Sequence, residues 1–289
     1  MKIHLIDGTY ELFRAHFGAP PKKSTSGVEV GATLGLMRSL LMLLQSPGVT
    51  HVAVAFDHVI ESFRNKMYAG YKSSEGVDPV ILNQFELAEK AVSALGVVVW
   101  PMVKFEADDA IATATTRFIK NKSVEQIIIC SVDKDLTQMV TGDRVICWDR
   151  RREITLNEKG VIEKFGVSPE SIPDYLALVG DSADGYPGVK GWGAASTAAV
   201  LAKFKHIESI PKNPKKLPLG LGRATTLTEN LQQSYKEALL FKELSTLRRD
   251  VPLKETLNDL KWQGAHPRLK KICQELGDER IPERISNWR

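Results

Sequence analysis

The chain has 289 residues, 43% of them hydrophobic and 26% charged, so it can form a substantial core and is not a disordered protein. Its formal net charge of +4 is too small to indicate a polyanion-binding protein by itself, although acidic residues gather in short motifs and basic residues collect elsewhere. We recognise no signal peptide, no apolar run of membrane-spanning length and no metal-type cysteine spacing, so we expect a cytoplasmic protein without membrane contacts. We further expect it to be a monomer.

The first half of the chain alternates between strand-like and helix-like patterns. Short apolar runs predict strands at residues 3–6, 52–56, 97–100, 126–130 and 145–148. Helical patterns lie between them, at residues 32–44, 80–95 and 107–119. The strands are apolar without alternation, which is typical of a parallel sheet covered by helices on both faces. We therefore predict an α/β fold with a mostly parallel central sheet flanked by helices.

The second half is predicted to be helical. Helical patterns occur at residues 169–179, 194–204 and 228–247, and a proline- and lysine-rich connector occupies residues 211–222. We accordingly predict an α/β catalytic domain over residues 1–167 and a helical lobe over residues 168–289.

Acidic residues follow four of the predicted strands. The residues concerned are Asp7 and Asp57, directly after their strands, then Glu106, Asp108 and Asp109 at a helix start, and Asp133 and Asp135. In a parallel sheet the carboxyl ends of all strands lie at one edge, where ligands bind. Singly, such acids are explained as helix caps or first-turn residues that complement the helix dipole. Their joint placement instead predicts one carboxylate pocket.

Carboxylates in a small volume repel one another unless some are protonated or cations neutralise them. Oxygen ligands without histidine or cysteine favour Mg²⁺, with Mn²⁺ as the alternative. Two such ions can activate water and stabilise the leaving oxygen in phosphodiester hydrolysis. The pattern therefore predicts a two-metal hydrolase.

A glycine-rich stretch follows two further acids, Asp181 and Asp184. Residues 187–193 resemble the turn of a helix-hairpin-helix motif, which we place at about residues 180–205. Glycines there let backbone N–H groups approach a phosphate at a helix start. The predicted DNA contacts of this turn are Gly188, Val189, Lys190, Gly191 and Gly193.

Taken together, these motifs resemble the 5′-nuclease domain of bacterial DNA polymerase I and its relatives in the flap endonuclease family. The matching stretches are Leu5-Ile6-Asp7-Gly8, Phe56-Asp57, Ser62-Phe63-Arg64, Gly70-Tyr71-Lys72, Glu106-Ala107-Asp108-Asp109, Asp133-Lys134-Asp135-Leu136, Gly180-Asp181 with Asp184, and Pro187-Gly188-Val189-Lys190-Gly191. They cover residues 1 to about 205 in order and spacing, and the remaining third matches more loosely.

The resemblance implies a role for each matched residue. Around the first metal ion it places Asp7, Asp57, Glu106 and Asp108, with Asp109 as support. Around the second it places Asp133, Asp135, Asp181 and Asp184. It also implies a helical arch over about residues 60–95, in which Lys72 contacts the scissile phosphate and Arg64 and Tyr71 lie nearby. Lys72, Arg64 and Asp108 are the predicted catalytic residues, and Tyr71 joins Lys72 in binding DNA.

The implied reaction is metal-dependent 5′-3′ exonuclease and flap endonuclease cleavage at single-strand/double-strand junctions in replication and repair. The expected partner is DNA with a 5′ flap, a nick or a free 5′ end, with an RNA–DNA hybrid as a further candidate. The resemblance also implies K⁺ bound by backbone carbonyls of the hairpin turn, at Val189 and Trp192.

The sequence departs from the family pattern at two positions, and two alternative functions stay open. Glu75 replaces a second basic residue of the arch, and Gly185 replaces a usual asparagine. Glu75 points to one alternative, a catalytically weakened relative that binds nucleic acid. The other is a haloacid-dehalogenase-like phosphatase with Asp133-Lys134-Asp135 as its nucleophile motif, although this would leave Asp7 and Asp57 without a role.

Overall fold

The computed structural model describes residues 1–289. Its strands are β1 Lys2–Asp7, β2 His51–Asp57, β3 Val98–Met102, β4 Gln126–Cys130, β5 Val145–Asp149 and β6 Ile154–Leu156. Its α-helices are α1 Gly8–Gly18, α2 Gly31–Leu44, α3 Pro79–Leu82, α4 Phe85–Ala94, α5 Ala107–Phe118, α6 Glu158–Phe165, α7 Ile172–Val179, α8 Ala194–Phe204, α9 Leu221–Gln233, α10 Tyr235–Ser245, α11 Arg268–Glu275 and α12 Arg280–Glu283. None of these helices combines the length and the apolar character that crossing a membrane requires.

The chain forms two compact units, and each unit is built from separate segments. Unit 1 comprises Met1–Ile60, Ser74–Ser131 and Arg249–Arg289, and unit 2 comprises Glu61–Ser73 and Val132–Arg248. The predicted division into a domain of residues 1–167 and a lobe of residues 168–289 stays a prediction.

The C-terminal segment of the chain groups with unit 1. Val52 N donates a hydrogen bond to Leu260 O, and Trp262 N donates to Thr50 O, both at 2.8 Å. The indole of Trp262 also donates to Leu95 O at 2.8 Å. The first two bonds occupy backbone groups at the start of β2, the third occupies a carbonyl at the end of α4, and together they attach the last 41 residues to the sheet unit.

The core of unit 1 is a parallel sheet with the strand order β3-β2-β1-β4. Nearly every residue of β1 and β2 is buried, as expected for strands with helices on both faces. Asp7 lies opposite Ala55, and Asp57 lies opposite Met102, so the ends of the first three strands line one edge. The predicted α/β class with a mostly parallel sheet is confirmed.

The predicted helix over residues 80–95 is two helices, α3 and α4. The break contains Gln84, which is fully buried and whose Oε1 accepts hydrogen bonds from Thr33 N (3.0 Å) and Thr33 Oγ1 (3.2 Å). This amide therefore satisfies a backbone donor in the first turn of α2, where no intrahelical partner exists. Periodicity could not predict the break, because its cause is a contact with a distant helix.

Unit 2 is mainly helical. Its two strands, β5 and β6, form an antiparallel hairpin with Trp148 opposite Thr155. Helix α7 packs against both α8 and α10. The predicted helix over residues 228–247 is interrupted at Ser234, which ends α9 and begins α10.

Candidate active site

Asp7 and Asp57 close two neighbouring strands of the unit 1 sheet. Asp7 is buried, and its carboxylate accepts hydrogen bonds from Tyr10 N (2.8 Å) and Ser131 Oγ (2.9 Å). The first of these bonds makes Asp7 the N-cap of α1. Asp57 Oδ1 accepts a hydrogen bond from Ala107 N at 2.8 Å. These contacts fix the direction of both carboxylates.

The start of α5 supplies the other acids of unit 1. Glu106 is the N-cap residue and forms a reciprocal capping box with Asp109, in which Glu106 N donates to Asp109 Oδ2 at 3.0 Å. Asp109 is fully buried, so its carboxylate holds the helix start in place. Asp108 is half-buried in the same turn. Because Ala107 N bonds Asp57, this turn lies against the end of β2.

A second acidic cluster lies in unit 2. Carboxylate oxygens of Asp135, Asp181 and Asp184 all lie within 4.8 Å of one another, and all three residues are buried. Asp135 begins a short 3₁₀ helix, Asp135–Met139. Asp133 is exposed, and its Oδ1 accepts a hydrogen bond from Asp135 N at 2.8 Å, which orders the turn that presents Asp135.

Two lysines pair with this cluster. Lys134 Nζ lies 2.8 Å from Asp181 Oδ2, and Lys72 Nζ lies 3.2 Å from Asp184 Oδ1. Burial opposes the charge on Lys134, but the hydrogen bond and charge of Asp181 outweigh it and raise the pKa of the ammonium group. Asp135 has no ion pair of this kind, and its buried Oδ1 has no hydrogen-bond partner.

The surroundings of Asp135 disfavour its charged form. Burial raises the pKa of this carboxyl well above its ordinary value, and the charges of Asp133, Asp184 and Asp181 raise it further. A buried anion in this position is stable when a cation neutralises it. The donor set contains carboxylate oxygens without histidine or cysteine, which fits a hard divalent cation such as Mg²⁺ or Mn²⁺.

Of the predicted metal ligands, the structure brings the carboxylates of Asp135, Asp181 and Asp184 together, and Asp133 bonds the turn that presents Asp135. The predicted ligands of unit 1 lie at the ends of β1 and β2 and at the start of α5, which bonds Asp57; they are Asp7, Asp57, Glu106, Asp108 and Asp109. That all of them share one pocket stays a prediction.

Arg64 occupies a different environment from the one expected. Its side chain is 1% exposed, and Nε donates a hydrogen bond to Leu244 O at 2.7 Å while a terminal nitrogen donates to Thr246 O at 3.3 Å. The guanidinium therefore satisfies carbonyls at the C-terminal end of α10. Since it presents almost no surface, its role in offsetting phosphate charge stays a prediction.

Lys72 and Tyr71 lie together near the unit 2 cluster. Besides the ion pair with Asp184, Lys72 N donates to Asp184 O at 3.0 Å, and Nζ lies 5.6 Å from the centre of the Tyr71 ring. Tyr71 is buried, and Lys72 is half-buried. Residues 67–78 contain turns and no helix, and the arch over about residues 60–95 stays a prediction.

Gly185, one of the two departures from the family pattern, has a structural reason. Its φ is +87°, and a Cβ placed there would lie 2.1 Å from Gly70 O. An asparagine would require this segment to shift. Gly185 therefore allows the turn that carries Asp184 to lie directly against the Gly70–Tyr71–Lys72 segment.

The predicted hairpin turn joins α7 to α8. Gly188 has a φ of +73°, and a Cβ placed there would lie 2.4 Å from Gly180 N, so the two glycine backbones are in direct contact. Val189 is buried and its N donates to Leu178 O at 2.8 Å, whereas Lys190, Gly191 and Gly193 are exposed. The geometry is that of a short loop between two helices, and its DNA contacts stay a prediction.

Tertiary contacts hold the tip of this loop. The Trp192 indole donates to Leu227 O at 3.0 Å, and Asn230 Nδ2 donates to Lys190 O at 2.8 Å, so two residues of α9 hold the turn in place. Trp192 N also donates to Val189 O at 3.0 Å. The binding of K⁺ by carbonyls at Val189 and Trp192 stays a prediction.

Two residues of the site were not singled out from the sequence. Lys134 stands between two predicted ligands, and its charge could have been weighed with theirs. Tyr186 is 1% exposed beside the cluster and stacks on Phe241 at 5.4 Å. Burial raises the pKa of Tyr186, and the charges of the nearby aspartates raise it further. No sequence pattern marked this phenol.

Comparison with protein families gives two adjoining matches. Residues 2–166 match the model of the 5′-3′ exonuclease N-terminal resolvase-like domain, and residues 167–268 match that of the 5′-3′ exonuclease C-terminal SAM fold.

Individual relatives agree with these matches. The chain is 33% identical to a 5′-3′ exonuclease of Aquifex aeolicus over 275 residues, covering 95% of this chain and 90% of that protein. It is 30% identical to DNA polymerase I of Bacillus caldotenax, covering 99% of this chain but 32% of the polymerase, so it spans about a third of that relative. Its fold is similar to that of the bacteriophage T5 flap endonuclease crystallised with DNA and metal ions, with a TM-score of 0.67, 17% identity and coverage of 98% and 96% of the two chains.

Proposed function

The chain belongs to the 5′-3′ exonuclease family and is a nuclease. We propose that it cuts DNA at single-strand/double-strand junctions with divalent cations held by two sets of carboxylates, one in unit 1 and one in unit 2. The cations are Mg²⁺, one for each set, with Mn²⁺ as a substitute. The proposed substrates are DNA with a 5′ flap, a nick or a free 5′ end, and RNA–DNA hybrids. The working form is a monomer.

One observation carries the metal assignment. Three buried carboxylates of unit 2 approach within 4.8 Å, and Asp135 Oδ1 has no partner in the protein. An unsatisfied buried polar atom costs about 1–3 kcal/mol, and a cation bound at this oxygen would offset that cost.

The ordering of the unit 1 acids supports the proposal of a first cation there. Asp7 and Asp57 are held at strand ends by backbone and hydroxyl donors, and Glu106 and Asp108 lie on a helix start that bonds Asp57. Carboxylates fixed before the cation arrives bind it without a further loss of side-chain entropy. Asp109 acts through Glu106 as a positioning residue.

The residues divide the chemical work. A bound divalent cation lowers the pKa of water and offsets charge on the phosphate. Lys72 contributes positive charge to the scissile phosphate, and in-line hydrolysis leaves a 5′-phosphate. The exposed residues of the 188–193 turn, Lys190, Gly191 and Gly193, bind duplex phosphates through their backbone without reading sequence, with K⁺ at the Val189 and Trp192 carbonyls as an additional charge. Arg64, whose guanidinium bonds carbonyls at the end of α10, positions the segment that carries Lys72.

The rival functions are weaker. A haloacid-dehalogenase-like phosphatase conflicts with membership of the nuclease family across both matched segments. A weakened relative that only binds nucleic acid would be expected to lack metal ligands, whereas every acidic position of the pattern is filled here. Glu75 is the one residue that favours this second candidate.

The deciding experiment compares wild type with Asp108→Ala on labelled flap, nicked, single-stranded and RNA–DNA substrates, with and without Mg²⁺. We expect the variant to lose cleavage but to bind DNA measurably, because the change removes a cation ligand and no phosphate contact. Glu86→Ala, which removes an exposed acid of the same unit, serves as the matched control. Near-normal cleavage by Asp108→Ala in Mg²⁺ would contradict the assignment.

A further inference from the structure

Lys134 lies between the candidate ligands Asp133 and Asp135 in sequence and forms an ion pair with a third, Asp181. Its ammonium group lies 2.8 Å from Asp181 Oδ2, and the side chains of Asp181 and Lys134 are 3% and 35% exposed. The other oxygen of Asp181, Oδ1, accepts a hydrogen bond from Ala183 N at 3.0 Å. Lys134 therefore takes the oxygen of Asp181 that no backbone donor holds.

The charges of the unit 2 cluster are unequal. Asp184 and Asp181 pair with the ammonium groups of Lys72 and Lys134, whereas Asp135 has no ion pair. A divalent cation would supply positive charge to Asp135. The buried, partnerless Oδ1 of Asp135 marks the side of the cluster on which positive charge is missing.

We propose that Lys134 serves as the counter-ion of Asp181 in the cation-free protein and competes with the divalent cation for Asp181 Oδ2. This inference rests on the proposed function, because it takes the cluster to be a cation site. An ammonium group and a divalent cation cannot both approach one oxygen so closely, since their charges repel. Binding therefore requires Lys134 to withdraw.

Withdrawal is open to Lys134 because its side chain is partly exposed and long. A lysine can keep its stem against the protein while its charged end moves into water. The lysine thus limits repulsion among buried aspartates when no cation is present and lowers the apparent affinity of the site. Below a certain cation concentration, the Lys134 ammonium group therefore stays paired with Asp181 and the site stays without a cation.

The test measures Mn²⁺ binding by titration calorimetry on the full chain without DNA, together with the melting temperature in EDTA. Lys134→Met should bind Mn²⁺ at least about threefold more tightly than wild type and should melt at a lower temperature in EDTA, since it loses both competitor and counter-ion. In an Asp181→Asn background the same substitution should leave Mn²⁺ affinity unchanged, because the two residues act through one contact. Lys159→Met, which removes an exposed lysine of the same unit, should match wild type in both measurements.

The outcomes separate the two proposals. If wild type binds Mn²⁺ and Asp181→Asn weakens that binding, but Lys134→Met binds no more tightly than wild type, competition by Lys134 is overturned and the cation site stands. If Lys134→Met binds equally tightly in both backgrounds, Asp181 is not the point of competition and the inference is again overturned. If wild type shows no saturable binding that Asp181→Asn affects, the unit 2 cation site fails and the inference fails with it.

Discussion

Replacing Asp135 by asparagine separates a cation ligand from a packing residue. The carboxyl is 5% exposed, its Oδ1 has no partner, and oxygens of Asp181 and Asp184 lie within 4.8 Å. At an effective dielectric constant of about 20, each like charge at that distance costs about 3 kcal/mol, and the two lysines cancel much of it. The amide has nearly the same shape and no charge.

We therefore expect Asp135→Asn to stabilise the cation-free protein by about 1–3 kcal/mol, the cost of one unsatisfied buried charged oxygen. This corresponds to roughly 2–10 °C in melting temperature for a chain of this size. With Mn²⁺ the order should change, since wild type gains stability from a complete site and the variant gains less. Cleavage should be lost.

The assay is urea unfolding and thermal melting at pH 8, in EDTA and in Mn²⁺, with cleavage of a flap substrate measured in parallel. Asp143→Asn, an exposed acid of the same unit, is the control and should change stability by less than about 0.5 kcal/mol. A cation-free Asp135→Asn protein that is less stable than wild type would refute the reasoning. So would an equal stabilisation of both proteins by Mn²⁺.

Three further predictions concern other parts of the chain. Glu75→Arg should raise the cleavage rate about two- to fivefold at moderate salt, and the gain should shrink with added KCl, because the exposed position then attracts phosphate. Arg64→Met should lower the free energy of unfolding by about 2–4 kcal/mol, since the buried Leu244 carbonyl loses its donor. For buried Asp278, burial opposes ionisation, but the hydrogen bond from Arg38 outweighs burial and lowers the pKa below 3.8, so the stability lost in Asp278→Asn should be constant above about pH 5 and shrink as pH falls through the lowered pKa.

Each of these has a contrary result. No gain in cleavage, or a loss, for Glu75→Arg would mean that this position does not act on the substrate electrostatically. Urea unfolding of Arg64→Met within about 0.5 kcal/mol of wild type would deny the structural role of the guanidinium. A stability difference for Asp278→Asn that stays constant down to pH 2.5 would show that the carboxylate is not held ionised by Arg38.

The arrangement of the two lysines suggests how one site serves both stability and catalysis. Lys72 and Lys134 lie within ion-pair distance of the same cluster that the proposed cation would occupy. Such pairs limit the cost of buried carboxylates during folding, when no cation is required. Under the proposal above, Lys134 would leave Asp181 when the cation binds.

The local pattern of the sequence determined most of the sheet unit. The strand runs at residues 3–6, 52–56 and 126–130 lie within β1, β2 and β4, because continuous β-branched and apolar residues suit a strand buried on both faces. The acids at their ends could be placed at one edge from parallel topology alone. Helices α5 and α8 likewise begin where the predicted helices begin, at Ala107 and Ala194.

Tertiary contacts decided what local pattern could not express. The break before α4 depends on Gln84 bonding Thr33, and the burial of Arg64 depends on carbonyls at the end of α10, which lies 180 residues away in sequence. The ion pairs of Lys134 and Lys72 follow from how turns from different parts of unit 2 meet. A sequence states which charges exist, but which ones neutralise each other is set by distances that arise only when the chain has folded.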